Sequence, residues 1–347
     1  MVYDMNTSFM RRDMVIFRES GFEVMACEIR PTSFLAFALT MWKQLVMLLR
    51  YHDADTIWLV QSAGYISVMP ALMSRITPMS CMVIVIGTDG ANLPEIDYGH
   101  HRKFWLSRSA GISLRNCGGI ATVHHSLESA DYSYFDVQHR KQGFRAFVKG
   151  VKTEVREIVY GFSGEKWGAD IATHERKPDF LTVFVATWAK AAIRKGFDLI
   201  LEAAERMPSK NFLIVGEAPE GTVLPPNLKV QGNVDQVTLR KIYNEHRFYL
   251  QLSAFEGFPN TLCEAMACGC FPIGSNVAGI PDIIEDWGEI IARKDVNVLM
   301  AAIERAEQRT AADPDYAQKV SDGLFSRFSW ERRRRELVGF AHDIMKR

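Results

Sequence analysis

Hydrophobic residues along this chain fall into short uninterrupted runs that alternate with longer stretches of helical periodicity. The runs are rich in β-branched and aromatic residues, and their continuous hydrophobicity is typical of strands buried on both faces of a parallel sheet. They lie at 56–60, 81–87 and 119–125 in the first half, and at 179–186, 211–216, 227–232, 248–253 and 270–275 in the second half. The pattern predicts an α/β fold with two parallel sheets in tandem, each covered by helices.

A polar, glycine-bearing stretch at 157–180 separates the two halves. We place the linker near residues 163–178, which predicts an N-terminal α/β domain at 1–165 and a C-terminal one at 166–330. The length agrees, because 347 residues exceed the usual range of one compact domain.

Charge and cysteine content exclude several classes of protein. The 41 basic and 41 acidic residues balance, so we expect no nucleic-acid partner. The six cysteines show no paired CxxC spacing and are predicted to be reduced core thiols of a cytoplasmic protein, and residues 1–13 lack the apolar segment of a secretory signal. The apolar stretch 33–52 is interrupted by Lys43 and falls short of the roughly 20 residues of a spanning helix, so we predict a helix followed by a strand.

The stretch EGFPNTLCEAMACGC, from Glu256 to Cys270, follows one of the predicted strands. Open α/β sheets bind ligands at the carboxyl ends of their strands, which places this loop at a predicted cleft. Gly257 permits close approach of the backbone to a ligand, and Pro259 stiffens the turn. A helix that opens near Asn260 directs free N–H groups to the same place, where they attract phosphate.

Each glutamate in this stretch also has a structural explanation. Thr261-x-x-Glu264 has the spacing of a capping box, which needs no ligand. Glu256 alone fits a solvated loop charge. Taken together, the two glutamates belong to a more specific pattern.

Residues 252–284, LSAFEGFPNTLCEAMACGCFPIGSNVAGIPDII, resemble the E-x7-E signature region of the family-4 retaining glycosyltransferases. The resemblance implies the GT-B architecture, two facing Rossmann-like domains with parallel sheets. It also implies transfer of a hexosyl group from a nucleotide diphosphate sugar, with UDP or GDP as the nucleotide. In the family the first glutamate lies beside the donor sugar and the second hydrogen-bonds the ribose; here these are Glu256 and Glu264. A carboxylate can accept both hydrogen bonds of a ribose diol.

The residues between the glutamates receive roles from the same resemblance. Gly257 and Phe258 would present N–H groups to sugar hydroxyls. Asn260, Thr261 and Leu262 would open the helix toward the diphosphate.

Further segments resemble the family in the same order along the chain. In IRKGFDLILEAAERMP (193–208), Lys195 would neutralise the departing diphosphate, with Arg194 or Lys190 assisting; a solvated surface lysine is the alternative. Gly216 corresponds to a glycine turn after the next strand, and Gly232 to a loop near the nucleobase.

One end of the chain resembles the family, and the other departs from it. Residues 325–345 resemble its closing helix, so we assign 331–347 to a C-terminal helix that crosses back to the N-terminal domain. We interpret ERRRRE (331–336) as a solvated face that pairs locally. YDMNTSFM (3–10) stands where relatives carry a glycine-rich loop.

Two residues common in the family are absent. An arginine expected after the first strand of the second domain is missing near Thr187, and a histidine expected at a strand end is missing at Gly87. Asp89 is our candidate for the polar residue at the reacting centre, and a turn-initiating aspartate is the alternative. His124 and His125 are candidates for the cleft or the acceptor side, and a structural role at the strand end is the alternative.

The resemblance implies a donor nucleotide-sugar and a sugar, lipid-linked or other hydroxyl acceptor, with no cofactor and no metal ion. The Asp-x-Asp pairs at 53–55 and 313–315 precede a strand or lie between helices, so we interpret them as solvated turns. A peripheral membrane contact stays open. The alternative function is a non-catalytic nucleotide-sugar-binding subunit, whereas an NAD-dependent enzyme is disfavoured because no GxGxxG follows a predicted strand.

Overall fold

The structure is a computed structural model that describes residues 2–3, 8–27, 33–135, 140–170 and 176–347. The chain divides into two compact units. The first unit comprises Met1–Ala130, Lys141–Val159 and Glu331–Arg347, and the second comprises Asp131–Arg140 and Tyr160–Trp330.

Strands and helices alternate along most of the described chain. The strands are β1 Val2–Tyr3, β2 Met25–Ala26, β3 Ile57–Gln61, β4 Ser80–Val85, β5 Gly119–Thr122, β6 Ala130–Tyr132, β7 Arg140–Gln142, β8 Val155–Glu157, β9 Lys177–Val185, β10 Phe212–Glu217, β11 Leu228–Gln231, β12 His246–Gln251, β13 Phe271–Ser275 and β14 Glu289–Ile291. The α-helices are α1 Ser8–Glu19, α2 Phe34–Arg50, α3 Tyr65–Met73, α4 Phe104–Asn116, α5 Phe144–Phe147, α6 Gly164–Trp167, α7 Ala189–Arg194, α8 Phe197–Arg206, α9 Gln236–Glu245, α10 Asn260–Ala267, α11 Ile280–Ile284, α12 Val296–Ala312, α13 Tyr316–Arg327 and α14 Trp330–Met345.

Each unit is built on a parallel sheet, as the hydrophobic pattern predicts. The first unit contains a four-stranded sheet of order β3-β4-β5-β8 and a short parallel pair, β1-β2. The second contains a six-stranded parallel sheet of order β11-β10-β9-β12-β13-β14. Every residue of β3, β4, β5 and β13 is buried, which explains their continuous hydrophobicity. The predicted α/β class is confirmed.

A row of phenylalanines crosses the second sheet and forms the centre of its core. Phe212, Phe180, Phe248 and Phe271 occupy paired positions on β10, β9, β12 and β13. The rings of Phe180 and Phe248 stack with centroids 4.8 Å apart, and Phe212 stacks on the other side at 5.4 Å. Offset contacts of this kind add to the burial energy of each ring, so the row fixes the register of the central strands.

Helix α14 packs against the first unit where β5 begins. A Cβ atom on Gly119 would lie 2.4 Å from an Ile344 side-chain carbon and 2.7 Å from Phe340. Gly118 is similarly close to Ile344, at 2.7 Å. The two glycines therefore let the helix approach the strand more closely than any larger residue would.

The arginine-rich start of α14 corrects one prediction. Arg333 is only 2% exposed and binds the Asp13 carboxylate of α1 through two hydrogen bonds of 2.7 Å. It also donates to the carbonyls of Ile158 and Val159 at 2.9 and 3.0 Å. The segment is therefore not simply a solvated face, because one arginine is a buried, bidentate partner. Arg332 does pair locally, with Glu336 four residues later.

The units do not follow the predicted domain limits at every point. Segment Asp131–Arg140, predicted to lie in the first domain, belongs to the second unit, and the chain enters that unit again at Tyr160 rather than at residue 166. Within the second unit, the Tyr132 hydroxyl donates to the Ala254 carbonyl at 2.8 Å, which ties the segment to the loop after β12.

Part of the predicted linker is firmly attached to the second unit. Arg176 is 9% exposed and donates to the carbonyl oxygens of Cys268 at 2.6 Å, His246 at 3.1 Å and Tyr243 at 3.3 Å. Residues 171–175 of the linker lie outside the described residues, as do residues 4–7 of the opening stretch.

The six cysteines are free and buried, as predicted. Burial raises the pKa of the Cys117 and Cys270 thiols to about 12, which keeps them protonated and unreactive near neutral pH. The suspect apolar stretch forms α2 and then leads into β3. Among the described residues, no helix combines the length and apolar character that crossing a membrane requires.

Candidate functional site

The candidate site lies where the strand order of the second sheet changes direction. From β9 the chain proceeds outward through β10 to β11, then returns to place β12 on the opposite side of β9. Such a switch point leaves a crevice at the carboxyl ends of the two central strands, because the connections leave in opposite directions. The segments that follow β9 and β12 are those that carry the predicted phosphate lysine and the two glutamates.

These segments meet in an ion pair. The Lys195 ammonium donates a hydrogen bond to the Glu256 carboxylate, and the two side chains are only 19% and 18% exposed. Lys195 closes α7, and Glu256 lies in the loop between β12 and α10. Glu256 is thus not the solvated loop charge of the alternative interpretation, and Lys195 is not a solvated surface lysine.

Gly196 makes this approach possible. Its φ of +79° lies in the left-handed region, and a Cβ atom there would lie 2.4 Å from the carbonyl oxygen of Leu252. The adjacent N–H of Ala254 donates to the Arg194 carbonyl at 2.7 Å. The backbone of the lysine turn therefore rests directly on the glutamate loop, with no room for another side chain.

A buried polar network supports the loop from below. The Gln251 side chain donates to the Ser253 hydroxyl at 2.8 Å and accepts a hydrogen bond from Thr261 at 3.3 Å. Ser275, at the end of the neighbouring strand β13, donates to the Ser253 carbonyl at 2.6 Å. All but Thr261 are at most 5% exposed, so the loop begins from a rigid base.

The start of α10 overturns the capping-box interpretation. The N-cap residue is Pro259, whose side chain makes no capping hydrogen bond, whereas the Thr261 hydroxyl donates to the Gln251 side chain. The box would require Thr261 at the N-cap and a reciprocal bond from Glu264. Within the described residues, the N–H groups of Gly257 and Phe258 donate to no protein group. The loop therefore presents the backbone N–H groups of Gly257 and Phe258, and the predicted roles of Asn260, Thr261 and Leu262 toward a diphosphate stay a prediction.

Phe258 anchors the middle of the loop through its side chain. It is 6% exposed, and its ring contacts those of Tyr160 and Phe328 edge to face, at 5.8 and 5.4 Å between centroids. The buried ring holds the loop in place while its backbone stays available to a ligand.

Glu264 lies one turn into α10 and is half-buried. Its charge is close enough to the buried hydroxyls of Tyr243 and Tyr249 to contribute, after burial itself, to a raised pKa of both. At the other end of α10, Arg176 donates to the Cys268 carbonyl, where the helix dipole is negative. The helix is thus fixed at its carboxyl end and offers its positive amino end to the loop.

The other predicted cations lie on α7. Lys190 is exposed and Arg194 is half-buried, and their spacing of four residues places both on one face of the helix. Thr187, where relatives carry an arginine, is exposed in the turn between β9 and α7. Both cations therefore belong to the same short segment as Lys195.

The two predicted glycines lie on the β10–β11 side of the second sheet. Gly216 is part of β10 itself rather than of a turn, with φ of +125° and a hypothetical Cβ only 1.9 Å from the Phe184 carbonyl oxygen. Gly232 follows β11 with open space around it. The loop it begins is tied to β10, because the Asn233 side chain donates to Glu217 at 2.6 Å.

Comparison with known proteins agrees with this geometry. Residues 179–308 match the family model of glycosyl transferases group 1. This part of the chain is a glycosyl transferases group 1 domain. The predicted family resemblance is confirmed.

Curated relatives match this chain over only part of their own length. The chain is 26% identical over 144 residues to a human phosphatidylinositol N-acetylglucosaminyltransferase subunit, covering 38% of this chain and 29% of the relative. It is 30% identical over 276 residues to the D-inositol 3-phosphate glycosyltransferase of Mycobacteroides abscessus. That match covers 59% of this chain and 61% of the relative. The chain thus spans less than a third of the human relative.

Solved structures extend the likeness beyond the group 1 domain to nearly the whole chain. HepE of Anabaena, solved in complex with UDP and glucose, has a TM-score of 0.68 at 14% identity, covering 99% of both chains. Sucrose-phosphate synthase of Thermosynechococcus elongatus has a TM-score of 0.68 at 16% identity, covering 91% of this chain and 80% of its own. The chain has the GT-B fold, two Rossmann-like domains with parallel sheets.

Asp89 lies outside the group 1 domain, in the first unit, and is fully buried. Its carboxylate accepts hydrogen bonds from the N–H groups of Ala63, Ile86 and Gly87 at 2.9 to 3.1 Å. These bonds join the ends of β3 and β4, so the carboxylate has a structural role, although not the initiation of an Asp-Gly turn that the alternative interpretation assumed. The geometry does not support Asp89 as a residue at the reacting centre.

The two histidines after β5 are also engaged within the first unit. His124 is 3% exposed and its Nδ1 lies 2.9 Å from the Ser126 hydroxyl. His125 is exposed, with Nδ1 3.2 Å from the Glu157 carboxylate. Their role toward an acceptor stays a prediction.

The Asp-x-Asp pairs lie in turns. Asp53 accepts a hydrogen bond from the Thr56 hydroxyl at 2.7 Å, and Asp313 pairs with Lys319 at 2.8 Å. These contacts agree with the interpretation of both pairs as turn residues.

Sequence reasoning missed three residues that shape these regions. Gln251 and Arg176 support the group 1 domain, and His101 of the first unit contacts the Asp89 carbonyl at 2.9 Å and the Ser107 hydroxyl at 2.8 Å. A polar residue at the end of a buried strand is a signal that could have identified Gln251. The partners of Arg176 are backbone atoms, so no sequence pattern marks them.

Proposed function

We propose that this protein is a retaining glycosyltransferase that moves a sugar from a nucleotide diphosphate sugar to a hydroxyl acceptor. The observation that carries the proposal is the Lys195–Glu256 pair at the switch point of the second sheet. It joins a cation suited to phosphate with a carboxylate suited to sugar hydroxyls, beside the positive end of α10.

Each part of the site has a distinct role in the proposal. Lys195 has three N–H donors and gives one to Glu256, so the others can reach phosphate oxygens. The first-turn N–H groups of α10 complete the diphosphate site, because they have no intrahelical acceptor. Glu264 binds the ribose diol, and Lys190 and Arg194 add positive charge from α7.

The proposed reaction needs no protein nucleophile. The acceptor oxygen forms a bond to the anomeric carbon on the face from which the diphosphate leaves. The bond between that carbon and the diphosphate oxygen breaks, and its electron pair stays on the diphosphate. The acceptor proton passes to a phosphate oxygen of the donor. Lys195 and the amino end of α10 stabilise the leaving group electrostatically, without a metal ion or a cofactor.

The names of relatives suggest which substrates to test first. HepE was solved with UDP and glucose, and the human relative is named as an N-acetylglucosaminyltransferase. Two relatives are named for inositol-containing compounds. We propose a UDP-sugar as donor and an inositol-containing hydroxyl acceptor.

The test is to incubate the protein with UDP-glucose or UDP-N-acetylglucosamine, with and without inositol, inositol phosphate and phosphatidylinositol. We expect UDP release that depends on the acceptor, and a product whose anomeric configuration by proton NMR equals that of the donor. Lys195→Ala should abolish release. Lys210→Ala should not, because Lys210 forms its ion pair with Glu307, away from the site segments.

Two results would contradict the proposal in different ways. If the protein binds nucleotide but transfers no sugar to any acceptor, from UDP-sugars or from GDP-sugars, the result would support the non-catalytic binding subunit instead. A product with inverted configuration would overturn the retaining mechanism.

A further inference from the structure

The helices of the first unit expose an unusual amount of apolar surface. Among the described residues, 16 large apolar side chains are exposed, and 11 of these lie on α2, α3 and α4 or directly after α3. Six are on α2 alone, where Phe34 is 87% exposed and Trp42 is 65% exposed. Contiguous exposed apolar surface on this scale marks an interaction site.

The exposed residues of α2 form one continuous stripe. Leu35, Leu39, Trp42, Val46 and Leu49 recur in steps of four and three residues, which places them on a single face. The opposite face is buried and already covered, as the burial of Gln44 and Leu48 indicates. Helix α2 therefore has two apolar faces. One packs in the core of the first unit, and the other is exposed.

The three helices lie in one layer over the first sheet. Helix α3 contacts α2 through a hydrogen bond of 2.9 Å from the Gln44 side chain to the Ile66 carbonyl. It contacts α4 through the hydroxyls of Ser67 and Ser113, 2.8 Å apart. The connections β3-α3-β4 and β4-α4-β5 run in the same direction across the sheet, so right-handed crossovers place α3 and α4 on the same face.

The layer is also one-sided in charge. The segments that form it, 33–52, 64–80 and 99–119, contain seven lysines and arginines and no aspartate or glutamate. Among the described residues, only Arg102 of the seven forms an ion pair, with Asp97 just outside these segments. Lys43 and Arg50 are exposed, and their spacing of seven residues places both along the same flank of the α2 stripe.

A cavity of about 300 Å³ opens in this layer beside the exposed ring of Phe104. Arg108 and Arg115 line it, one above the other on α4, and His101 and Phe147 close the other side. Its size and its two guanidinium groups suit an anionic headgroup.

We propose that the α2–α3–α4 layer docks the protein on the surface of a bilayer that contains anionic lipids. Exposed aromatic and aliphatic side chains would enter the interface, and the basic side chains would meet lipid phosphates. At 17 residues with Lys43 near its middle, α2 lies on such a surface and does not span it. A second copy of the chain fits less well, because a symmetric contact would oppose two acid-free, basic surfaces.

The experiment measures co-sedimentation of the full chain with vesicles, in the absence of any nucleotide-sugar. The vesicles are phosphatidylcholine alone, or phosphatidylcholine with about one third phosphatidylserine. We expect binding to the anionic vesicles that weakens as salt is raised, and little binding to the neutral ones. Because no donor or acceptor is involved, the outcome is independent of the proposed function.

Variants separate the two contributions. Leu39→Gln with Trp42→Gln and Val46→Gln should reduce binding at least about tenfold, since it removes the centre of the apolar stripe. Lys43→Glu with Arg50→Glu should weaken binding by roughly fivefold for each cation lost, and should reduce the salt dependence. These side chains are exposed, and far-UV circular dichroism checks that the fold is kept.

The matched control is Val223→Gln with Val237→Gln. These valines of the second unit are 88% and 68% exposed, so they remove similar apolar surface elsewhere. The control should bind as the unchanged protein does. If the control and the α2 variants lose vesicle binding equally, the proposal is overturned.

Two further outcomes would also overturn it. One is failure of the unchanged protein to bind anionic vesicles. The other is a dimer, detected by sedimentation velocity without lipid, that the α2 substitutions dissociate; the stripe would then be an interface between copies.

Discussion

Lys195 and Glu256 form an ion pair although they are 61 residues apart in the chain. Their segments leave neighbouring strands, β9 and β12, on either side of the switch point of the second sheet. Strand order therefore creates the pair, which in the proposed function lies where the sugar and the diphosphate of a donor meet.

We expect Lys195→Ala to weaken binding of UDP at least roughly tenfold, because hydrogen bonds to charged groups contribute about 1.5–3 kcal/mol. Uridine, which lacks phosphates, should lose little affinity. Isothermal titration calorimetry with both ligands measures the difference, and Lys210→Ala is the control. Equal losses for UDP and uridine would place the lysine away from the phosphates.

Glu264→Ala should abolish the thermal stabilisation that UDP gives, because it removes the carboxylate proposed to accept the hydrogen bonds of the ribose diol. Differential scanning fluorimetry with and without UDP provides the test, with Glu205→Ala on α8 as a control. Full stabilisation of Glu264→Ala by UDP would contradict the ribose assignment.

Gly196→Ala should destabilise the second unit by about 2 kcal/mol or more, from a left-handed backbone and from contact with the Leu252 carbonyl. Gly221→Ala is a close control, because Gly221 has a φ of +76° and nothing within 4 Å of its Cβ position. The difference in urea unfolding free energy isolates the packing contribution. Equal effects at the two sites would mean that close approach to Leu252 contributes nothing.

The stability of the second unit should decrease in mild acid because of His246. Burial lowers the pKa of this histidine below its ordinary value of 6.5, and its Nδ1 lies 2.7 Å from the Ile242 carbonyl. In the window between the folded and unfolded pKa values the unfolded chain binds more protons. The contribution of neutral His246 to the free energy of unfolding is therefore complete above about pH 6.5. It is lost as the pH falls toward the pKa of His246 in the folded state.

His246→Asn tests this assignment, because its amide can still donate to Ile242 and does not titrate. The slope of unfolding free energy between about pH 7 and about pH 5.5 should become smaller. His101 of the first unit, whose pKa burial also lowers, should leave a residual slope of the same sign. An unchanged slope in His246→Asn would assign the effect to other groups.

Transfer activity should persist in excess EDTA, and Asp53→Asn should leave the rate unchanged. Positive charge at the diphosphate is expected from Lys195 and α10, and Asp53 only holds its own turn through Thr56. Activity lost in EDTA and restored by Mg²⁺ or Mn²⁺ would refute metal independence.

The sequence predicts the main strands well because each contains a short apolar run, and β3, β4, β5 and β13 are buried at every residue. Strands β8 and β14 escape notice because they contain only three residues each. Helix α10 starts at Asn260, as predicted, but its cap could not be predicted from spacing. The spacing of Thr261 and Glu264 fits a capping box, but the Thr261 hydroxyl has a tertiary partner in Gln251.

Local spacing predicts the candidate site residues in part. Their placement in two loops follows from strand ends sharing one edge of a sheet, but their pairing depends on β9 and β12 being neighbours. The same limit applies to the arginines of α14. Spacing explains the pair of Arg332 with Glu336, and it contains no information about Arg333, whose partner lies 320 residues away.

The bond between Asp13 and Arg333 has a consequence for biosynthesis. At a translation rate of about 5–20 residues per second, the aspartate leaves the ribosome tens of seconds before the arginine exists. The first unit cannot reach its final state during that interval, and the site facing α14 at Gly118 and Gly119 stays uncovered. The surface of the first unit that α14 covers therefore stays exposed until nearly the whole chain has been synthesised.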